Sequence, residues 1–201
     1  MKVINVGAEA RISLDGEVVL KERISKGYRE KELDLKIRKF RTKREEKLMS
    51  CASRAGVMVP KIYGVKNFEI SMEFIEGPRV KDMINKKNVK MLCSLIGQSA
   101  AFLHNSSIIH GDLTTSNMIY KDSAVYFIDF GLGFMSSKVE DKATDLHLLE
   151  EAMDSTHYEI ASCAFSAIMD SYAKYCRDFD SVMLRLEQIR LRGRYITRNG
   201  V

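Results

Sequence analysis

One short stretch limits this chain more than any other. His110-Gly111-Asp112-Leu113-Thr114-Thr115-Ser116-Asn117 is followed shortly by Asp129-Phe130-Gly131. A carboxylate, an amide and a second carboxylate stand here in an order that suits phosphoryl transfer. In the pattern H-x-D-x-x-x-x-N the Asp takes a hydroxyl proton and the Asn binds magnesium, while the Asp of D-F-G supplies the main magnesium carboxylate. Asp112 and Asn117 are five residues apart, so one loop can present both to the same phosphate. HGD alone reads equally well as a polar turn; the ordered set, with Asn117 and the D-F-G tripeptide, does not. Such a loop must be held rigidly. The apolar runs Met118-Ile119-Tyr120 and Val125-Tyr126-Phe127-Ile128, on either side of Lys121-Asp122-Ser123, read as the strands that hold it.

The chain ahead of this loop reads as a small β-rich unit. Val3–Val6 is followed by Gly7-Ala8-Glu9-Ala10, then Arg11–Leu14, a hairpin signal at Asp15-Gly16, and the strand Glu17-Val18-Val19-Leu20-Lys21. Lys21 ends its strand where protein kinases keep the lysine that holds the α- and β-phosphates. Gly7-Ala8-Glu9-Ala10 stands where a phosphate loop would lie, with one glycine in place of the three of G-x-G-x-x-G. A helix is expected from about Asp34 to Arg54, with Ile37, Phe40, Arg41, Arg44, Leu48, Cys51 and Ala52 recurring near helical spacing and Gly56 as its stop. A glutamate on this helix must hold the lysine. Glu45 is the first choice and Glu46 the alternative, and their side chains point in different directions. Lys61–Val65 and Glu69–Phe74 read as closing strands, and Ile75-Glu76-Gly77-Pro78 breaks the pattern. In a two-lobed arrangement this is a hinge at about 73–78, where backbone groups of Glu73 and Ile75 meet an adenine edge and Met72 backs the pocket. The remainder reads as mostly helical: Met91 to Leu103, then roughly Lys142 to Met153, Tyr158 to Tyr175 and Ser181 to Leu191.

The 201 residues suffice for one substantial core or two small lobes. No apolar run reaches membrane-span length and no secretory leader is legible, which points to a cytoplasmic protein with no membrane role. Cys51, Cys93, Cys163 and Cys176 lie far apart without a C-x-x-C pair, so they read as small buried hydrophobes. The net charge of +5 is concentrated: Lys26 to Lys47 holds ten Lys/Arg against five Asp/Glu, the whole excess of the chain. Such a stretch reads either as a solvated helix face or as an RNA footprint.

What is missing also informs. Thirteen residues separate Gly131 from Asp145, too few for an activation loop with an A-P-E platform. Gly111 replaces the arginine that pairs with a phosphorylated activation loop, and Thr114 replaces a lysine common two residues after the catalytic Asp. The nucleotide machinery is complete while the peptide-docking machinery is minimal.

Taken together, these residues resemble the small atypical kinase subunit of the KEOPS complex, the PRPK type related to the RIO kinases. The resemblance rests on GAEA, Lys21, the stretch from Lys26-Gly27-Tyr28-Arg29 through Arg41-Thr42-Lys43-Arg44-Glu45, HGDLTTSN, Ile128-Asp129-Phe130-Gly131, Glu140 to Leu146, Ser155-Thr156-His157 and Arg192-Gly193-Arg194. It implies an α+β, bilobal protein-kinase-like fold in a single domain: N-lobe about 1–74, shortened helical C-lobe about 79–190, basic tail 191–201. It implies ATP and Mg2+ as cofactors, with Asp112, Lys21 and Glu45 catalytic, Asn117 and Asp129 on the metal, and Asp145 bracing the catalytic loop. It also implies serine/threonine autophosphorylation and ATP hydrolysis in support of tRNA threonylcarbamoyladenosine modification. The implied partners are the KEOPS subunits, chiefly the larger metal-dependent subunit that transfers threonylcarbamoyl, and tRNA through the basic helix 34–54 and tail 190–198. A kinase-like scaffold acting through partner and tRNA contacts, and a small-molecule phosphotransferase, remain as alternatives.

Overall fold

A computed structural model describes the backbone of residues 1–198 and the side chains of residues 1–192. Its first part is a five-stranded antiparallel sheet in the order β1-β2-β3-β5-β4, built from β1 (Lys2–Val6), β2 (Ala10–Asp15), β3 (Val18–Arg23), β4 (Ile62–Lys66) and β5 (Glu69–Glu73). The hairpin between β2 and β3 closes one residue later than the Asp15-Gly16 signal implies. Asp15 pairs with Val18, so the loop residues are Gly16 and Glu17. Side chains directly opposite one another share a sheet face. The pairs Ala10–Arg23 and Ile12–Lys21 therefore put two cations of β3 and two apolar residues of β2 on one surface.

Helix α1 (Lys31–Arg54) crosses between β3 and β4. It starts three residues earlier than expected, capped by the Glu30 carboxylate, which accepts from the N–H groups of Glu32 and Leu33. It stops where Gly56 takes φ +86°, a conformation that only glycine adopts freely. The Val57 and Gly56 amides then return to the carbonyls of Ala52 and Ser53 at 3.0 and 3.1 Å. The buried face of α1 is not the expected stripe: Phe40 is exposed, and Asp34, Thr42, Glu45, Leu48, Met49 and Ala52 point inward. The reason is electrostatic. Asp34 near the start of the helix holds Ser25, Arg29 and Arg38, Glu45 past its middle meets the β3 cations Lys21 and Arg23, and Leu48, Met49 and Ala52 beyond it enter the apolar core.

The rest is mainly helical, as expected. A short α2 (Val80–Met83) leads to α3 (Val89–Asn105), β6 (Ile108–Ile109), a 3-10 turn at Thr115–Asn117, the hairpin β7 (Met118–Lys121) and β8 (Ala124–Phe127), β9 (Phe134–Met135), α4 (Val139–Thr156), α5 (Ala161–Tyr175) and α6 (Phe179–Arg198). The core joins both parts: Leu48, Met49, Ile70 and Met72 meet Leu92, Ile96, Leu103, Phe127, Phe130 and Leu146. The segment read as a basic tail from Arg190 instead continues α6 through Arg198, and Arg190 is held by a two-pronged ion pair with Glu150 at 2.6 and 2.7 Å. The side chains of 193–198 and residues 199–201, where the tail expectation also falls, lie outside the described residues. Cys93 and Cys176 are buried as expected, but Cys51 is half-buried and Cys163 exposed; all four are free thiols. No described helix is long and apolar enough to cross a membrane.

Candidate active site

The catalytic-loop segment is fastened from several sides. Asp145 on α4 accepts from the backbone N–H groups of His110 and Gly111 at 2.8 and 2.9 Å. His104 on α3 lies 3.3 Å from the same carboxylate, and the Tyr172 hydroxyl meets its other nitrogen at 2.8 Å. Burial would push the Asp145 carboxyl up; the His104 hydrogen bond and charge, helped by His110, outweigh it and hold the group below the usual carboxylate range. His110 is fully enclosed, and burial holds its imidazole below its ordinary value despite the neighbouring carboxylates. The neutral ring donates from Nε2 to the Ile128 carbonyl at 3.2 Å and accepts at Nδ1 from the Asp112 N–H at 3.4 Å. One side chain thus ties the HGD segment to the strand end preceding Asp129. Leu113 is a buried anchor, and Thr115 Oγ1 sits 3.0 Å from His157 Nε2 at the end of α4.

Gly111 has a structural reason as well. Its φ is +77°, and a Cβ there would lie 2.6 Å from the Leu132 carbonyl oxygen. An arginine at this position, as in many protein kinases, has no room.

Around this loop the expected residues converge. The Lys21 ammonium donates to Glu45 Oε1 at 2.6 Å and to Asp129 Oδ1 at 2.8 Å. Glu45, not Glu46, faces Lys21; Glu46 accepts from Ser50 one turn along α1. Burial would lower the Lys21 pKa, but Glu45 and Asp129 together outweigh it and raise the value, so the group is charged at neutral pH. Asp129 is held low in turn: burial would raise it, and the charge and hydrogen bond of Lys21 with the Gly131 N–H overcome that. Its backbone sits at φ +62°, an unusual conformation for a non-glycine residue that aims the carboxylate at the lysine. Asn117 donates from Nδ2 to Asp112 Oδ2 at 2.7 Å and to the Asp112 carbonyl at 3.0 Å, while its own carbonyl accepts from Ile128.

These groups open on a cavity of about 270 Å³ lined by Gly7, Ala8, Glu9, Ala10, Lys21, Arg23, Arg41, Asp112 and Asp129, among others. A larger cavity of about 640 Å³ lies elsewhere, between residues 84–87 and 156–160. Convergent charge, not size, marks the smaller one as the site. Two of its cations were not assigned to the cleft from the sequence. Arg23 Nη2 is hydrogen-bonded to Glu45 Oε2, and Arg41 Nη1 meets Glu9 Oε2 at 2.6 Å. Periodicity could have found both: Arg23 is two residues beyond Lys21 on a strand, and Arg41 is four before Glu45 on a helix.

The hinge residues lie apart from this lining. Met72 is buried on the inner face of β5 opposite Val19. The Glu73 N–H donates to the Lys61 carbonyl at 2.8 Å, so it is not free for an adenine edge as the sequence reading allowed. The Glu73 carbonyl and the Ile75 N–H make no hydrogen bond outside strand pairing among the described residues.

The donor set suits magnesium. Asp129 Oδ2 has no partner among the described residues, and Asn117, whose amide nitrogen is spent on Asp112, retains its amide oxygen. Among the described residues no group of three His, Cys, Asp or Glu is gathered for a metal. That matches a cation held by one or two protein oxygens and completed by substrate phosphates.

Comparison with known proteins places the chain in a family. A model of the RIO domain matches residues 11–150. The chain is 41% identical to the KEOPS complex subunit Bud32 of Pyrococcus abyssi, over 100% of this chain and 99% of that one. It is 40% identical to a probable bifunctional tRNA threonylcarbamoyladenosine biosynthesis protein of Methanosarcina mazei, over 96% of this chain but only 36% of that protein. Among solved structures, the Rio2 kinase of Chaetomium thermophilum, in an ADP/Mg2+-phosphoaspartate complex, superposes with a TM-score of 0.65 at 15% identity, covering 94% of this chain and 71% of that one. The ADP-bound aminoglycoside phosphotransferase APH(2'')-Ib gives 0.56 at 12% identity, covering 92% and 91%. Both structural likenesses speak to the fold alone, and that fold is protein-kinase-like.

Proposed function

The chain belongs to the RIO-domain family and, within it, to the Bud32 family of KEOPS subunits, and from that membership we propose that it is an ATP-dependent serine/threonine kinase and ATPase supporting threonylcarbamoyladenosine modification of tRNA. The observation that carries the chemistry is the Lys21 ammonium bridging Glu45 and Asp129 at the cleft mouth of the Asp112–Asn117 pair.

Each residue's part follows from its charge and attachment. Lys21 is buried, protonated and held by Glu45, so it meets the inner phosphates of ATP without reorganising. Asp129 and Asn117 hold Mg2+, which when bound neutralises charge on the phosphate oxygens. Asp112 accepts the proton of the attacking hydroxyl at its carboxylate; with water in place of the hydroxyl the outcome is hydrolysis. Asn117 Nδ2 orients that carboxylate at 2.7 Å. Gly7, Ala8, Glu9 and Ala10 form the lip over the phosphates, and Met72, Glu73 and Ile75 serve the base end. The domain works as an N-lobe of about 1–74 and a C-lobe of about 79–190 joined by the hinge.

The partners we assign are the larger threonylcarbamoyl-transferring subunit and tRNA, in the cytoplasm. The fusion-length relatives, of which this chain spans about a third, support the first. For tRNA, the outer face of α1 offers exposed Lys36, Lys39, Lys43 and Lys47, whereas Arg38 and Arg41 turn inward onto Asp34 and Glu9. The direct test is release of labelled phosphate from ATP, with and without the partner subunit and tRNA. Lys21→Ala and Asp129→Ala should each lower turnover about a hundred- to thousandfold while the fold persists. Near-normal turnover in a folded Asp129→Ala protein defeats the assignment. Turnover detectable only in the assembly identifies a regulated ATPase.

A further inference from the structure

We propose that Arg41 binds the terminal phosphate of the nucleoside triphosphate and that Glu9 competes with that phosphate for the guanidinium. The inference rests on the reading of the cleft as an ATP site. Its ground is the way the cleft cations are shared out. Lys21 is committed to Glu45 and Asp129, and Arg23 to Glu45. Both are almost wholly buried, with side chains 7% and 4% exposed. Arg41 differs: its side chain is 30% exposed, and its partner Glu9 is a 48%-exposed carboxylate on the Gly7–Ala10 segment. Arg23 Nη1 approaches the same Glu9 oxygen at 3.9 Å. Two guanidinium groups thus face one carboxylate oxygen, Arg41 in hydrogen-bond contact and Arg23 at ion-pair range, a cationic pocket that suits a phosphoryl oxygen.

The pairing is also easily exchanged. An ion pair this open to water contributes little, so a multiply charged phosphate can replace the carboxylate. Moving Glu9 aside would free the Arg41 guanidinium, while Lys21 and Arg23 stay paired with Glu45. Arg41 stands one helical turn before Glu45, which places it along the cleft from Lys21 rather than beside it. Lys21 then serves the inner phosphates and Arg41 the outermost one. Glu9 sets a threshold that a diphosphate, lacking that group, does not overcome.

The experiment is equilibrium binding of ADP and of a non-hydrolysable β,γ-imido ATP analogue, both with Mg2+, to the full chain and to Glu9→Gln and Arg41→Ala. Glu9→Gln should tighten the analogue about three- to tenfold and leave ADP within about twofold. Arg41→Ala should weaken the analogue about ten- to a hundredfold, again sparing ADP. Equal changes for both nucleotides, or none for either variant, overturn the role of Arg41 while leaving the cleft assignment standing. A wild-type chain that binds neither nucleotide overturns both.

Discussion

Removing the Asp145 carboxylate should cost far more than its distance from the cleft implies. Asp145 is 1% exposed. Its two oxygens accept from the His110 and Gly111 amides at 2.8 and 2.9 Å and stand 3.3 Å from His104. Hydrogen bonds to a charged group contribute about 1.5–3 kcal/mol each, and stripping one partner from a buried charged network costs about 3–5 kcal/mol because the others stay desolvated and unpaired. Asp145→Ala should therefore destabilise by about 3–5 kcal/mol. For a chain of this size that is a fall in Tm of roughly 6–20 °C. Asp145→Asn, which keeps one acceptor, should lose about half as much. The freed amides lead directly into Asp112, so turnover of the surviving folded fraction should drop about a hundredfold through misplacement alone. The pH dependence has a definite sign. The folded value of Asp145 is depressed, so its stabilisation is complete above the unfolded value of about 3.9 and fades as pH falls through the folded value. The gap between wild type and Asp145→Ala should thus be full at pH 6 and narrow in strong acid. Thermal melts across pH, with exposed Asp170→Asn as the control, make the measurement. A Tm for Asp145→Ala within about 2 °C of wild type would refute the reasoning.

Three further outcomes follow from other contacts. Gly111→Ala meets both a left-handed backbone and the Leu132 carbonyl, so it should cost about 1–3 kcal/mol in a denaturant titration and lower turnover with it. Lys142→Met removes the 2.8 Å bond to Asp178, whose carboxyl the lysine and Cys176 hold low against the upward push of burial. It should cost about 1 kcal/mol near neutrality, and the difference should vanish as pH falls below the Asp178 value. Gly97→Ala drives a Cβ into the Ile168 backbone where α3 crosses α5, and a loss of about 1–3 kcal/mol by thermal melt is expected.

Much of this was legible because kinase-type chemistry is written in short, ordered segments. HGDLTTSN and the following D-F-G lie in one loop-hairpin unit, so the neighbourhood of Asp112, Asn117 and Asp129 is local in the chain. The boundaries of β5, α3 and β7 likewise follow from apolar period and turn residues. What failed to read was long-range and electrostatic. The inner face of α1 looked like a solvated, charged helix because the partners of Glu45 and Arg41 sit on other elements. The last helix runs on past Leu191, and the pairing of Arg190 with Glu150, forty residues earlier, was not legible either.

The sequence by itself carried the kinase-like fold and the order of the candidate catalytic groups, since residue type and spacing within one segment dictate which atoms a loop can present. Only the tertiary structure decided that Glu45 rather than Glu46 meets Lys21, that His104 backs Asp145 beneath the loop, and that Arg23 pairs with Glu45 and Arg41 with Glu9. Those choices depend on which faces of separate elements are pressed together, and ion pairs between distant residues leave no period along the chain.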